Sequence, residues 1–130
     1  MNDKIKIGAS QFDVLIAVTA KEHERGLMFQ PWSPPIMAFP YNTAKIRKFW
    51  MKNTISPLDI IFCNKNKVIG IYAGIPLSVD TIGPDELSDL VVEFPSGMAK
   101  ANNILIGDNI KLLYSLQTIS KKFRDNYLIK

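Results

Sequence analysis

Leu58-Asp59-Ile60-Ile61-Phe62-Cys63-Asn64-Lys65-Asn66-Lys67-Val68-Ile69-Gly70-Ile71-Tyr72-Ala73 reads as a β-hairpin. Two apolar runs rich in β-branched and aromatic residues flank a short polar turn. Asparagine tolerates the positive φ that a tight hairpin turn demands, so Asn64 to Lys67 reverses the chain.

On the N-terminal side, Arg47 to Lys52 is a predicted strand because of its aromatic residues. Its alternation puts Phe49 and Met51 on one face, and Trp50 and Lys52 on the other. Asn53 to Pro57 is a connection. Tyr41 to Ala44 reads as a turn, and Ile36 to Phe39 as a strand ended by Pro40. Pro31, Pro34 and Pro35 imply a stiff loop. Thr19-Ala20-Lys21-Glu22 is a capping box opening a short helix to Arg25, which Gly26 closes in the left-handed conformation. Phe12 to Val18 alternates as one well-buried strand, and Ile5 and Ile7 hint at a shorter one before it.

On the C-terminal side, Gly74 to Ser88 is a loop, long enough to suggest function or mobility. Leu90, Val92 and Phe94 alternate in a strand. Pro95-Ser96-Gly97 turns the chain into a short helix near Met98 to Ala101. Ile106 to Ile110 is a tight turn feeding a strand. Ile119, Phe123 and Tyr127 recur every four residues, as in a short amphipathic helix. Short strands broken by Pro and Gly define a mainly β fold with one or two short helices, and periodicity leaves sandwich and barrel both open.

The composition sets the outer bounds. A length of 130 residues, 47% hydrophobic and 22% charged, suits one globular domain with a core of its own. The single Cys63 excludes an internal disulfide and a Cys-rich zinc site, and it reads as a buried small hydrophobe. His23, the one histidine, reads as a solvated helix residue between Glu22 and Glu24. No run reaches the ~20 apolar residues of a membrane helix. The start of the chain lacks the apolar stretch of a secretory signal, so the cytoplasm is the expected compartment. No phosphate loop, dinucleotide fingerprint, zinc-protease motif or nucleophile elbow is present, and no spacing calls for a metal or cofactor. Lys45, Arg47, Lys48, Trp50 and Lys52 interleave base and aromatic, but a net charge of +4 is thin support for nucleic-acid binding.

The segment Phe49-Trp50-Met51-Lys52-Asn53-Thr54, followed two residues later by Pro57-Leu58-Asp59-Ile60, resembles the signature of the family known as domain of unknown function 192. Glu24-Arg25-Gly26-Leu27-Met28, Met37 with Phe39, and Gly107-Asp108 resemble further stretches of that family in the same order. The resemblance covers about Phe12 to Leu113. It implies a small β-sandwich related to jelly rolls, and no activity. Ile36 and Ala38 depart from the family's usual glycine and leucine. No cysteine lies in Gly74 to Ser88, where many members carry one. The expected organisation is one β domain over 1–113, with 114–130 a basic extension whose short helix packs on it.

Arg25, Trp50, Lys52, Asn53, Thr54 and Asp59 form the candidate ligand-binding set. An aromatic plate beside amide, carboxylate and cation suits a sugar or a nucleoside, with stacking on the apolar face and hydrogen bonds to hydroxyls. The competing reading is structural: Asn53 and Thr54 bond turn backbone, Arg25 pairs with Asp59, and Trp50 is core. The expected function is a non-enzymatic binding or interaction module. Its partner would be a small molecule or a protein, and the oligomeric state is not legible. The alternatives are a hydrolase using Asp59, with Glu93 as second carboxylate only by elimination, or a component of a larger assembly.

Overall fold

A computed structural model describes residues 2 to 128, with side chains as far as Phe123. Strands β1 (Lys4–Ile7) and β2 (Ser10–Asp13) form a hairpin, and after Val14 the chain leaves it for a second sheet as β3 (Leu15–Ile16). Helix α1 (Ala20–Arg25) precedes β4 (Met37–Ile46). Next come β5 (Leu58–Asn64), β6 (Lys67–Gly74) and β7 (Leu87–Pro95). Helix α2 (Met98–Ala101), β8 (Ile110–Leu113) and α3 (Leu116–Leu128) end the described chain. The small sheet has the order β2-β1-β8 and the large one β3-β4-β7-β5-β6. Neither sheet closes on itself, so two sheets, and not a barrel, are the outcome.

The hairpin of β5 and β6 turns through Lys65 (φ 50°) and Asn66 (φ 64°), the two positive φ angles of a type I′ turn. Strand β5 lies between β6 and β7, so both of its edges are paired, and core clusters lie on both of its faces. Ile61 and Cys63 point one way with Val92 and Phe94, and pack on Ile5, Ile7 and Ile110 of the small sheet. Ile60 and Phe62 point the other way with Val91, Met37 and Phe39, and there the cover is Leu27 and Met51. Phe39, Phe49, Phe62 and Tyr72 cross this second face edge to face, with successive ring centroids 5.3, 5.7 and 5.5 Å apart. Burial pushes the Cys63 thiol up, as expected of an inert core cysteine.

Several local expectations change. Phe12 to Val18 is not one strand: the alternation is real, but Val14 is where the chain changes sheets. Pro40 does not end its strand, and Tyr41 to Ala44 is not a turn. Strand β4 runs through both, with a register shift against β7 between Pro40 and Lys45. Its other neighbour, β3, pairs only Met37 and Ala38, so beyond them β4 is an edge, where a proline is tolerated. Arg47 to Lys52 keeps its alternation but is no regular strand. It touches the 74–88 segment through a Phe49–Ile82 bridge and the Met51 N–H to Ser78 carbonyl bond of 2.9 Å. That segment is therefore tied down. Gly83 makes the approach possible, since a Cβ there would stand 2.6 Å from the Arg47 carbonyl oxygen.

Among the described residues there are three helices, each at a place where the sequence leads one to expect it. Helix α3 is bound through Thr118 Oγ1, which donates to Asp3 Oδ2 at 2.6 Å, and through a 2.7 Å Lys121–Glu22 ion pair. Its apolar stripe is not buried: Leu116, Ile119 and Phe123 are exposed. The side chain of Tyr127, like those of the basic residues Arg124 and Lys130, lies outside the described residues.

Candidate functional site

The second face of the large sheet is incompletely covered. Between α1 and the 48–54 segment an open cleft of about 740 Å³ reaches down to the strands. Its upper wall is α1, and the capping box fixes that helix. Thr19 Oγ1 accepts from the Glu22 N–H at 3.1 Å, while Glu22 Oε1 accepts from the Thr19 N–H at 3.0 Å. Burial pushes the Glu22 carboxyl up, but Lys121 and the N–H groups of Thr19 and Val18 outweigh it and hold it at about 2. Gly26 ends α1 at φ 50° and ψ −130°. The φ is positive as expected, but ψ lies outside the left-handed helical well, in a region essentially reserved for glycine.

The opposite wall is the 48–54 segment. Phe49 turns toward the aromatic core, Met51 is buried, and Trp50 between them is 46% exposed with Lys52 Nζ 5.2 Å from its ring centroid. Asn53 adopts φ 56°, and its carbonyl accepts from the Phe29 N–H at 2.9 Å. Its side-chain amide makes no hydrogen bond among the described residues. Thr54 is buried, and its hydroxyl donates to the Lys52 carbonyl at 3.3 Å.

The floor comes from the sheet. Phe39 and Tyr41 rise from β4, and the His23 ring meets them edge to face at 5.7 and 5.0 Å. Arg47 caps Tyr41 from outside, with Cζ 3.4 Å from the ring centroid. Glu93 of β7 lies among these rings, 5% exposed, without a hydrogen bond or ion pair among the described residues. Burial pushes its carboxyl up to about 8.

Arg25, Trp50, Lys52, Asn53 and Thr54 thus line one cleft, and Asp59 does not. Asp59 Oδ2 accepts from the N–H groups of Gly97 and Ala99, each at 3.0 Å. It caps α2, whose own N-cap, Gly97, has no side chain to do so. Arg25 is not its partner, and the expected pair is replaced by this cap. His23 also differs from expectation. It is half-buried, its Nε2 lies 3.0 Å from the Ala17 carbonyl oxygen, and desolvation lowers its pKa. Glu93 enters the cleft in its own right. Its signal was a charged residue alternating with Val91 on an apolar face. Tyr41 was hidden by the turn reading, and His23 by its two glutamate neighbours. Among the described residues no group of three His, Cys, Asp or Glu side chains could hold a metal ion, and no helix is long and apolar enough to cross a membrane.

Comparison with known proteins gives a family model, described as "Uncharacterized ACR" and named DUF192, that matches residues 3–112. A crystal structure of a protein of unknown function from Novosphingobium aromaticivorans DSM 12444 is similar at 28% identity and a TM-score of 0.75, over 83% of each chain. One from Sinorhizobium meliloti 1021, described as a candidate transcription regulator, is similar at 26% identity and a TM-score of 0.78. It covers 85% of this chain and 92% of that one. No curated protein matches.

Proposed function

This chain belongs to the uncharacterised DUF192 family, and from its geometry we propose that it is a binding module whose cleft takes a sugar- or nucleoside-like ligand. The carrying observation is Trp50, an indole left 46% exposed on the wall of a concave site although its two chain neighbours turn inward. A planar or apolar ring face stacks on such a plate, and the Asn53 amide with the cations of Arg25 and Lys52 offers hydrogen bonds to ring substituents. Titrating the isotopically labelled chain with panels of saccharides and nucleosides tests this by NMR. The expected result is a shift of the Trp50 indole and Asn53 amide signals with one class. Silence with both classes overturns the reading.

The hydrolytic alternative finds no support in Asp59, whose carboxylate is engaged by two backbone N–H groups outside the cleft. A second reading, an interaction role, is favoured by the exposed apolar stripe of α3. Gel filtration of the full chain against one ending at Leu113 tests it: unchanged size and binding count against that role.

A further inference from the structure

We propose that Glu93 anchors the ligand at the cleft floor, donating a hydrogen bond as a neutral acid to an oxygen acceptor on an anionic sugar or nucleoside. The inference rests on the binding role of the cleft. Glu93 pairs across the sheet with Met37 on one side and Ile60 on the other, and all three sit on the apolar second face. A buried carboxyl without a partner is costly to keep, and native proteins rarely keep one without a use. The cleft keeps this one reachable. It is one of the lining residues, and Gly26 beside it brings no side chain across Glu93 Oε1, where a Cβ would stand at 3.7 Å.

The rim decides the charge of what enters. From α1 the groups facing the cleft are Lys21, His23, Glu24 and Arg25; from the opposite wall they are Lys48 and Lys52. Lys48 is bonded to Asp85 at 2.9 Å and to the Gly83 carbonyl at 2.6 Å. Lys21, Arg25 and Lys52 make no ion pair among the described residues. From β4 the facing group is Tyr41, with Arg47 stacked on its ring, and β5 contributes the apolar Ile60. Such a rim repels a cation and favours a phosphate or carboxylate. Inside, no described cation pairs with Glu93 to hold it ionised, and burial is the cause of its shift. Its raised pKa, due to burial, agrees with a carboxyl that keeps its proton at neutral pH and so acts as a donor. A phosphorylated sugar and a nucleoside monophosphate share the required chemistry: oxygen acceptors on a ring, and an anionic group one bond system away for Arg25 and Lys52.

The experiment measures binding of glucose 6-phosphate, cytidine monophosphate, glucose and cytidine by the Trp50 and Asn53 signals at pH 7 and pH 9, and of glucosamine, largely a cation at the lower value, at pH 7. The window from pH 7 to pH 9 lies above the second ionisation of a phosphate ester, near 6. The expected result is tighter binding of one phosphorylated probe than of its neutral parent, with no binding of glucosamine. Affinity should fall about tenfold between the two pH values as the neutral fraction of Glu93 falls. Glu93→Gln keeps a neutral donor and should bind at both pH values with the fall abolished. Binding that is flat with pH, or a fall that survives in Glu93→Gln, overturns this proposal and leaves the binding role standing. No response to any probe overturns both. Independently of ligand, a carboxyl-carbon titration of Glu93 with a midpoint below about 6 removes the neutral donor and overturns the proposal.

Discussion

The two faces of the five-stranded sheet are made by the same strands and differ in completeness. On the face toward the small sheet, Ile61, Cys63, Val92 and Phe94 meet Ile5, Ile7 and Ile110, and the contact is apolar throughout. On the other face, Phe62, Val91 and Phe39 are covered only by Leu27, Met51 and their neighbours, and the gap holds Glu93, His23 and Tyr41. A second sheet can cover a whole face, whereas a six-residue helix and an irregular segment cannot. The first arrangement maximises burial, and the second leaves room for chemistry.

Substitutions on the two faces should separate these roles. Phe94→Ala on the closed face should cost about 3–5 kcal/mol of stability, the usual range for emptying a buried aromatic site. Chemical denaturation measures it, and a cost below 1 kcal/mol would mean that this face is looser than described. Glu93→Gln should act in the opposite direction. The folded pKa of Glu93, about 8, lies above its ordinary 4.5, so the native state holds an extra proton between these values. Stability therefore falls as pH rises through that window and levels off above it. The variant should gain up to about 3 kcal/mol at pH 7, and the gain should vanish near pH 4.5. Thermal melts at several pH values read this, and a gain that does not grow with pH breaks the contrast.

Asp59→Ala should cost about 0.5–2 kcal/mol, the value of a helix cap, and leave the cleft signals unchanged. A lost ligand response in this variant would return Asp59 to the site. Trp50→Ala should have the smallest effect on stability, below about 1 kcal/mol because the ring is half-exposed, yet it should remove ligand binding. Retained binding would remove the indole from the site.

What the sequence made legible was local. The Lys65-Asn66 turn and the Thr19–Glu22 capping box depend on residues a few positions apart, and both formed as read. The alternation of Phe49, Trp50 and Met51 also held without regular strand pairing, because burial follows the direction of side chains. What stayed hidden depends on distant partners. Whether Pro40 breaks a strand depends on where β3 stops. The cap that Asp59 supplies joins residues 38 apart. Five of the six candidate positions line one cleft because they occupy two short stretches that the fold sets face to face, while Asp59 alternates with Ile60 and so lies on the opposite face of β5, across from Phe94. Glu93 could be singled out only by asking what a charge does on a face otherwise filled with hydrocarbon.

The crossover at Val14 has a mechanical consequence. Its N–H bonds the Asp3 carbonyl at 3.1 Å in one layer, and the next residue, Leu15, bonds the Ile36 carbonyl at 2.8 Å in the other. One covalent stitch thus holds both layers in step, and neither can slide over its neighbour without tearing bonds from each.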